Sequence, residues 1–109
     1  MWPAIWMLGA NETQVGWPAC GEIEIMELRG SIPNVVLSTL HNTETVANNQ
    51  NPGSQYTLPP GTIGDFNSDF HLFTCIRSLN KMEFYVDGNK FYSSSLQIFQ
   101  VILLITLFM

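Results

Sequence analysis

Gly21-Glu22-Ile23-Glu24-Ile25-Met26-Glu27 sets carboxylates and apolar side chains in near-perfect alternation. In an extended strand successive side chains point to opposite faces, so Glu22 and Glu24 share one face while Ile23 and Ile25 turn toward a core. Strict alternation would send Glu27 inward with the isoleucines, an expensive place for an unpaired carboxylate. One extra residue, a β-bulge near Ile25-Met26, returns Glu27 to the carboxylate face and leaves Met26 to pack. The stretch therefore predicts a bulged, half-buried strand that lines a groove with three acids.

Working outward, no helix-period stripe of useful length appears, and Gly, Pro, Asn and Ser clusters separate short β-rich runs, the pattern of an antiparallel all-β domain. Strands are expected over residues 2–8, 21–28, 35–41, 69–77 and 82–86, with a brief one at 55–58. Asp87-Gly88 joins Phe84-Tyr85-Val86 to Lys90-Phe91-Tyr92 as a two-residue hairpin. The rest of residues 42–64, with Asn48-Asn49-Gln50 and Pro59-Pro60-Gly61, is too irregular for more than loop. No internal repeat is visible, so a β-sandwich is expected rather than a solenoid. Trp2 and Trp6, four apart on one strand, share a face and are expected in the core; Trp17 suits a core or a groove.

Composition narrows the function. With 109 residues there is room for one small domain or part of one. Hydrophobic residues make up 46% and charged residues 12%, which excludes a disordered tail and makes each acidic cluster informative. Four Lys and Arg against nine Asp and Glu give a net charge of −5 without a basic patch, so nucleic acid is not an expected partner. Cys20 and Cys75 match no metal spacing; they could pair, but separate buried thiols are the simpler expectation. Met1-Trp2-Pro3-Ala4-Ile5-Trp6 shows no basic leader region and reads as mid-strand. The almost wholly apolar residues 96–109 fall short of the ~20 needed to span a bilayer, so a buried strand, or sequence foreign to the domain, is expected instead of a membrane anchor.

The three acids can do chemistry. Retaining glycoside hydrolysis uses a carboxylate nucleophile and an acid/base carboxyl about 5–5.5 Å from it. A middle acid can orient the nucleophile or tune its proton affinity, because closely spaced carboxylates do not all ionise freely. On spacing alone the same residues equally describe a solvated acidic edge strand or a calcium site. His41 has no second ligand at metal spacing and is expected to hydrogen-bond in a groove or core or to touch substrate; His71 leans to a structural role. No cofactor and no metal are implied.

Trp2-Pro3-Ala4-Ile5-Trp6-Met7-Leu8-Gly9 followed by Gly16-Trp17-Pro18-Ala19-Cys20-Gly21-Glu22-Ile23-Glu24-Ile25-Met26-Glu27 closely resembles glycoside hydrolase family 16, and within it the laminarinase-like endo-β-1,3-glucanases. The family signature is Glu-x-Asp-x-x-Glu on a bulged strand. The resemblance makes Glu22 the nucleophile and Glu27 the acid/base, with Glu24 standing where the family has Asp and Trp17 matching a tryptophan that lines the sugar groove. Downstream, Ser38-Thr39-Leu40-His41 is similar to a Gly-Thr-x-His segment, and Asp69-Phe70-His71 and Phe84-Tyr85-Val86-Asp87-Gly88 continue the match. Leu37 stands where relatives often carry a second His, and Ile76-Arg77 where they usually carry Glu-Trp.

The resemblance covers residues 1–92, which it makes the central part of a β-jelly-roll, concanavalin A-like sandwich, an incomplete piece of the family's domain. Residues 93–109 are left as an apolar tail. It implies catalytic residues Glu22, Glu24 and Glu27, substrate contacts at Trp17 and His41, and endo-acting hydrolysis of a laminarin-type β-1,3-glucan with retained configuration. The expected protein is extracellular and monomeric, with a β-glucan polysaccharide as partner. The alternatives are a non-catalytic β-glucan-binding module on the same fold, suggested by Glu24, Leu37 and Ile76-Arg77, or an inactive truncated fragment.

Overall fold

The computed structural model describes residues 1–50 and 52–95, so all but the first residues of the expected 93–109 tail, and any strand there, lie outside the described residues. The elements run β1 (Ala4–Leu8), α1 (Glu12–Val15), β2 (Glu22–Leu28), β3 (Val35–His41), α2 (Thr43–Ala47), β4 (Gly53–Thr57), β5 (Phe73–Ser78), β6 (Lys81–Val86) and β7 (Asn89–Ser94). They form two antiparallel meanders, a four-stranded sheet ordered β1-β2-β3-β4 and a three-stranded sheet ordered β5-β6-β7. The expected all-β sandwich is what the chain builds.

Period-2 patterning explains why the sheets stack. On β6, Met82, Phe84 and Val86 are buried, while the alternate residues Lys81, Glu83 and Tyr85 point away from the core. Facing them, Met7, Ile23 and Leu40 close one cluster around Met82 and Phe84. Leu28 and Val36 close a second around Val86, and Phe91 of β7 packs against both. Phe84, wholly buried, stacks on Tyr92 with ring centroids 5.1 Å apart. Both cysteines are free; Cys20 is buried, and burial pushes the half-buried Cys75 thiol up to about 11, leaving it a weak nucleophile.

The β6–β7 turn has the form that Asp-Gly foretold. Asp87 and Gly88 adopt φ of 49° and 79°, the left-handed pair of a primed hairpin turn. The Asp87 carboxylate accepts hydrogen bonds from the Leu72 amide (2.8 Å) and lies 2.7 Å from Nδ1 of His71. His71, edge-on to Phe66 at 4.7 Å, thus takes the structural role expected of it.

Three expectations need correction. Among the described residues there are two helical turns, where only strands were read. In α2 the Asn42 side chain accepts the Thr45 amide and the Thr45 hydroxyl accepts the Asn42 amide, a reciprocal cap built from Thr rather than Glu or Gln. The strand expected at 55–58 is longer and begins at Gly53, where an added Cβ would lie 2.4 Å from the Ser38 carbonyl oxygen. Residues 69–72 are not strand, because β6 ends at Val86 opposite Phe73 and leaves them no ladder partner; Phe70 there is fully exposed.

Phe84→Ala should remove about 3–5 kcal/mol by emptying the centre of the larger cluster. That approaches the whole stability of many small domains, so a urea melt of the variant should show a collapsed midpoint. A midpoint close to the parent's would mean the two sheets do not depend on this contact.

Candidate active site

Antiparallel pairing sets the outer face of the four-stranded sheet in rows, since directly opposed residues share a face. Leu8, Glu22 and His41 form the first row, Trp6, Glu24, Thr39 and Gly53 the second, and Ala4, Glu27, Leu37 and Gln55 the third. From the second row to the third, β1 and β3 each advance two residues while β2 advances three, from Glu24 to Glu27. The extra residue is the bulge expected near Ile25-Met26. Opposite β1 the unmatched position is Ile25, and both Ile25 and Met26 pack inward, against the first and second clusters respectively. Glu27 therefore returns to the face of Glu22 and Glu24.

β2 lies between β1 and β3, so the acids sit mid-sheet and not on a solvated edge. Among the described residues no group of three or more His, Cys, Asp or Glu side chains is placed to hold a metal ion. Each outer carboxylate is held by an indole. Trp17 Nε1 donates to Glu22 Oε2 at 2.6 Å, and Trp2 Nε1 donates to Glu27 Oε1 at 2.5 Å. Glu24 has no such donor; its Oε2 is buried and unpartnered by any N–H or O–H of the described residues. Burial first, then the adjoining Glu27 and Glu22 carboxylates, push the Glu24 carboxyl up to about 9. Burial and the two neighbouring carboxylates thus act together to favour the neutral form of Glu24.

The five residues singled out from sequence converge. Glu22, Glu24, Glu27 and His41 lie on one face, and the His41 ring sits 6.1 Å from that of Trp17, across from Glu22. Trp17 is 52% exposed, so it is not a core ring. Trp2 and Trp6 are corrected: they share a face, but it is the carboxylate face, because Trp6 pairs with Glu24 and Met7 takes the core position. Trp2 is 62% exposed, with the Arg29 guanidinium 5.9 Å from its ring centre. Sequence spacing gave that parity but not its sign, since the long β1–β2 connection hides the register. Beyond Glu27, Arg29, Ile32, Val35, Leu37 and Gln55 line a shallow depression toward β4.

The raised pKa of Glu24 has a consequence for stability. Between the ordinary value of 4.5 and about 9 the folded chain holds a proton that the unfolded chain has lost. The contribution is complete below pH 4.5 and declines as pH rises toward 9. Glu24→Gln, neutral throughout, should flatten that decline, read as urea midpoints across pH 5 to 9. An equally steep decline in the variant would locate its source elsewhere.

No family model matches the chain. It is 37% identical over 92 residues to glucan endo-1,3-beta-glucosidase A1 of Niallia circulans, a match that covers 84% of this chain and 13% of that protein. It is 36% identical over 94 residues to a beta-1,3-glucan-binding protein of Penaeus monodon, covering 80% of this chain and 25% of that one. The X-ray structure of an endo-beta-1,3-glucanase from Pyrococcus furiosus superposes with a TM-score of 0.79 at 41% identity, over 86% of this chain and 35% of that chain. The chain thus spans about a third or less of the length of these relatives. A sandwich of this topology, carrying this bulged acidic strand, is similar over most of its length to part of the laminarinases and endo-1,3-beta-glucanases, structures of family GH16 among them.

Proposed function

We propose that the protein to which this domain belongs cleaves β-1,3-glucan internally, with retention at the anomeric carbon. The observation that carries the reading is the bulge in β2, which sets Glu22 and Glu27 on one face with Glu24 between them. Glu22 attacks the anomeric carbon while Glu27 gives its proton to the departing glycosidic oxygen; the C–O bond breaks and a glycosyl ester forms on Glu22. Glu27, now the base, takes a proton from water as the water oxygen displaces Glu22 and regenerates both groups.

The remaining side chains have derivable work. The Trp17 indole N–H orients Glu22, the Trp2 indole N–H orients Glu27, and both rings offer apolar faces for sugar rings. Glu24, neutral, keeps the strand from carrying three adjacent charges and can donate a hydrogen bond to Glu22 as it leaves the ester. His41, beside Trp17 and opposite Glu22, suits a contact to a substrate hydroxyl. A polymeric substrate agrees with action outside the cell by a monomer.

A second reading, glucan binding without cleavage, draws on the glucan-binding relative, which is about as similar as the glucosidase. It also draws on the extra methylene that Glu24 carries relative to the family Asp, since a preorganised site tolerates only ~0.5 Å of displacement.

Incubation with laminarin should release reducing ends, and proton NMR of the first products should show the β-anomer. Glu22→Gln should lower turnover by several orders of magnitude while binding to insoluble β-glucan persists. An α-anomer as first product, or full turnover in the variant, would sink the hydrolase mechanism; retained binding with no reducing ends from the parent chain would favour the binding reading.

A further inference from the structure

Ser38 lies on the core face of β3, between Val36 and Leu40, each about 1% exposed, and is itself wholly buried. A hydroxyl there costs free energy unless it is hydrogen-bonded. The Ser38 hydroxyl donates to the Ile25 carbonyl at 2.6 Å. Ser38 also stands where the ladder skips: Glu24 pairs with Thr39 and Glu27 with Leu37, so the Ile25-Met26 bulge confronts Ser38 alone. A bulge takes backbone groups out of the ladder, and a buried carbonyl left without a donor is costly. The other buried hydroxyl with an evident task, Thr45, serves the cap of α2; Ser38 serves no cap or turn.

We propose that Ser38 is the positioning residue for Glu27, pinning the extra residue of β2 through its carbonyl and so fixing where the Glu27 carboxyl stands relative to Glu22. The proposal rests on the hydrolase reading for the role of Glu27, though not for the bond itself. Only Met26 lies between Ile25 and Glu27, so slack at the bulge passes directly to the Glu27 Cα. Displacement by ~1 Å at a reacting group can cost about 10²-fold in rate, and a positioned general acid contributes roughly 10²–10⁴-fold. Ser38 itself, on the far side of the sheet, touches no substrate.

The test is Ser38→Ala in the full chain, with Ser38→Gly as a second hydroxyl-free variant should the first fold poorly. Two glucan substrates separate positioning from general loosening. Laminarin needs protonation of its leaving oxygen, whereas a laminari-oligosaccharide bearing a dinitrophenolate leaving group does not. Expected is a fall of about 10–100-fold in kcat/KM on laminarin, carried by kcat with KM little changed, and a change under about threefold on the activated substrate. Carboxyl-carbon NMR gives a readout independent of turnover. In the variant the Glu24 titration should move down toward the ordinary carboxyl range as Glu27, one cause of its elevation, draws away. Equal losses on both substrates, or carboxyl titrations unchanged from the parent, overturn the proposal. If the full-length protein turns over neither substrate, the hydrolase reading fails by itself and the titrations alone decide Ser38.

Discussion

A strand in the middle of a sheet can present three carboxylates at i, i+2 and i+5 on one side only by slipping its register once. β2 does so between Glu24 and Glu27, and the rest of the molecule is arranged around that slip. Ile25 and Met26, consecutive residues that would ordinarily point apart, both enter the core, where each finds a different hydrophobic cluster. The core accepts them because the second sheet presents Met82, Phe84 and Val86 along one line, filling the space above and below the slip. Packing on one face and charge on the other are thus set by the same residue insertion.

Electrostatics on the exposed face follow from crowding. Two carboxylates receive tryptophan N–H groups, while burial and the neighbouring acids favour the neutral form of the third, which relieves the crowding of charge on that face. This division of labour is asymmetric by position. The central carboxyl is the most desolvated and has a carboxylate on either side, which are the causes that disfavour its ionisation most. The outer two reach indoles from opposite ends of the strand, Trp17 from the turn before β2 and Trp2 from the residues before β1.

Much of this was legible in the chain. Alternation in residues 22–28 gave the strand, and the misfit of Glu27 to that alternation gave the bulge before any coordinates. Asp87-Gly88 gave the hairpin through its demand for positive φ. What the sequence concealed was long-range or unconventional: which face Trp2 and Trp6 would take depended on a register set across a long connection. The α2 cap used Asn42 with Thr45, outside the usual Glu or Gln pattern, so its helical turn hid in a polar stretch. Residues 69–72 looked like strand because they alternate, yet the ladder of described residues ends at Phe73 and Val86, and only the Leu72 backbone bonds onward, to Asp87 of the turn. The contact of Trp2 with Glu27 was missed for the same reason as its face.

The second row across the sheet runs from Trp6 through Glu24 and Thr39 to Gly53, from the largest side chain to none. Because a Cβ at Gly53 would collide with the Ser38 carbonyl and crowd Thr39, that descent cannot be levelled by substitution without parting β3 from β4. The outer face of the four-stranded sheet is consequently a ramp, high at β1 and low at β4. Any long chain laid across it would have to tilt, low over β4 and lifted over the indole, which gives the face a direction even before any residue is asked to do chemistry.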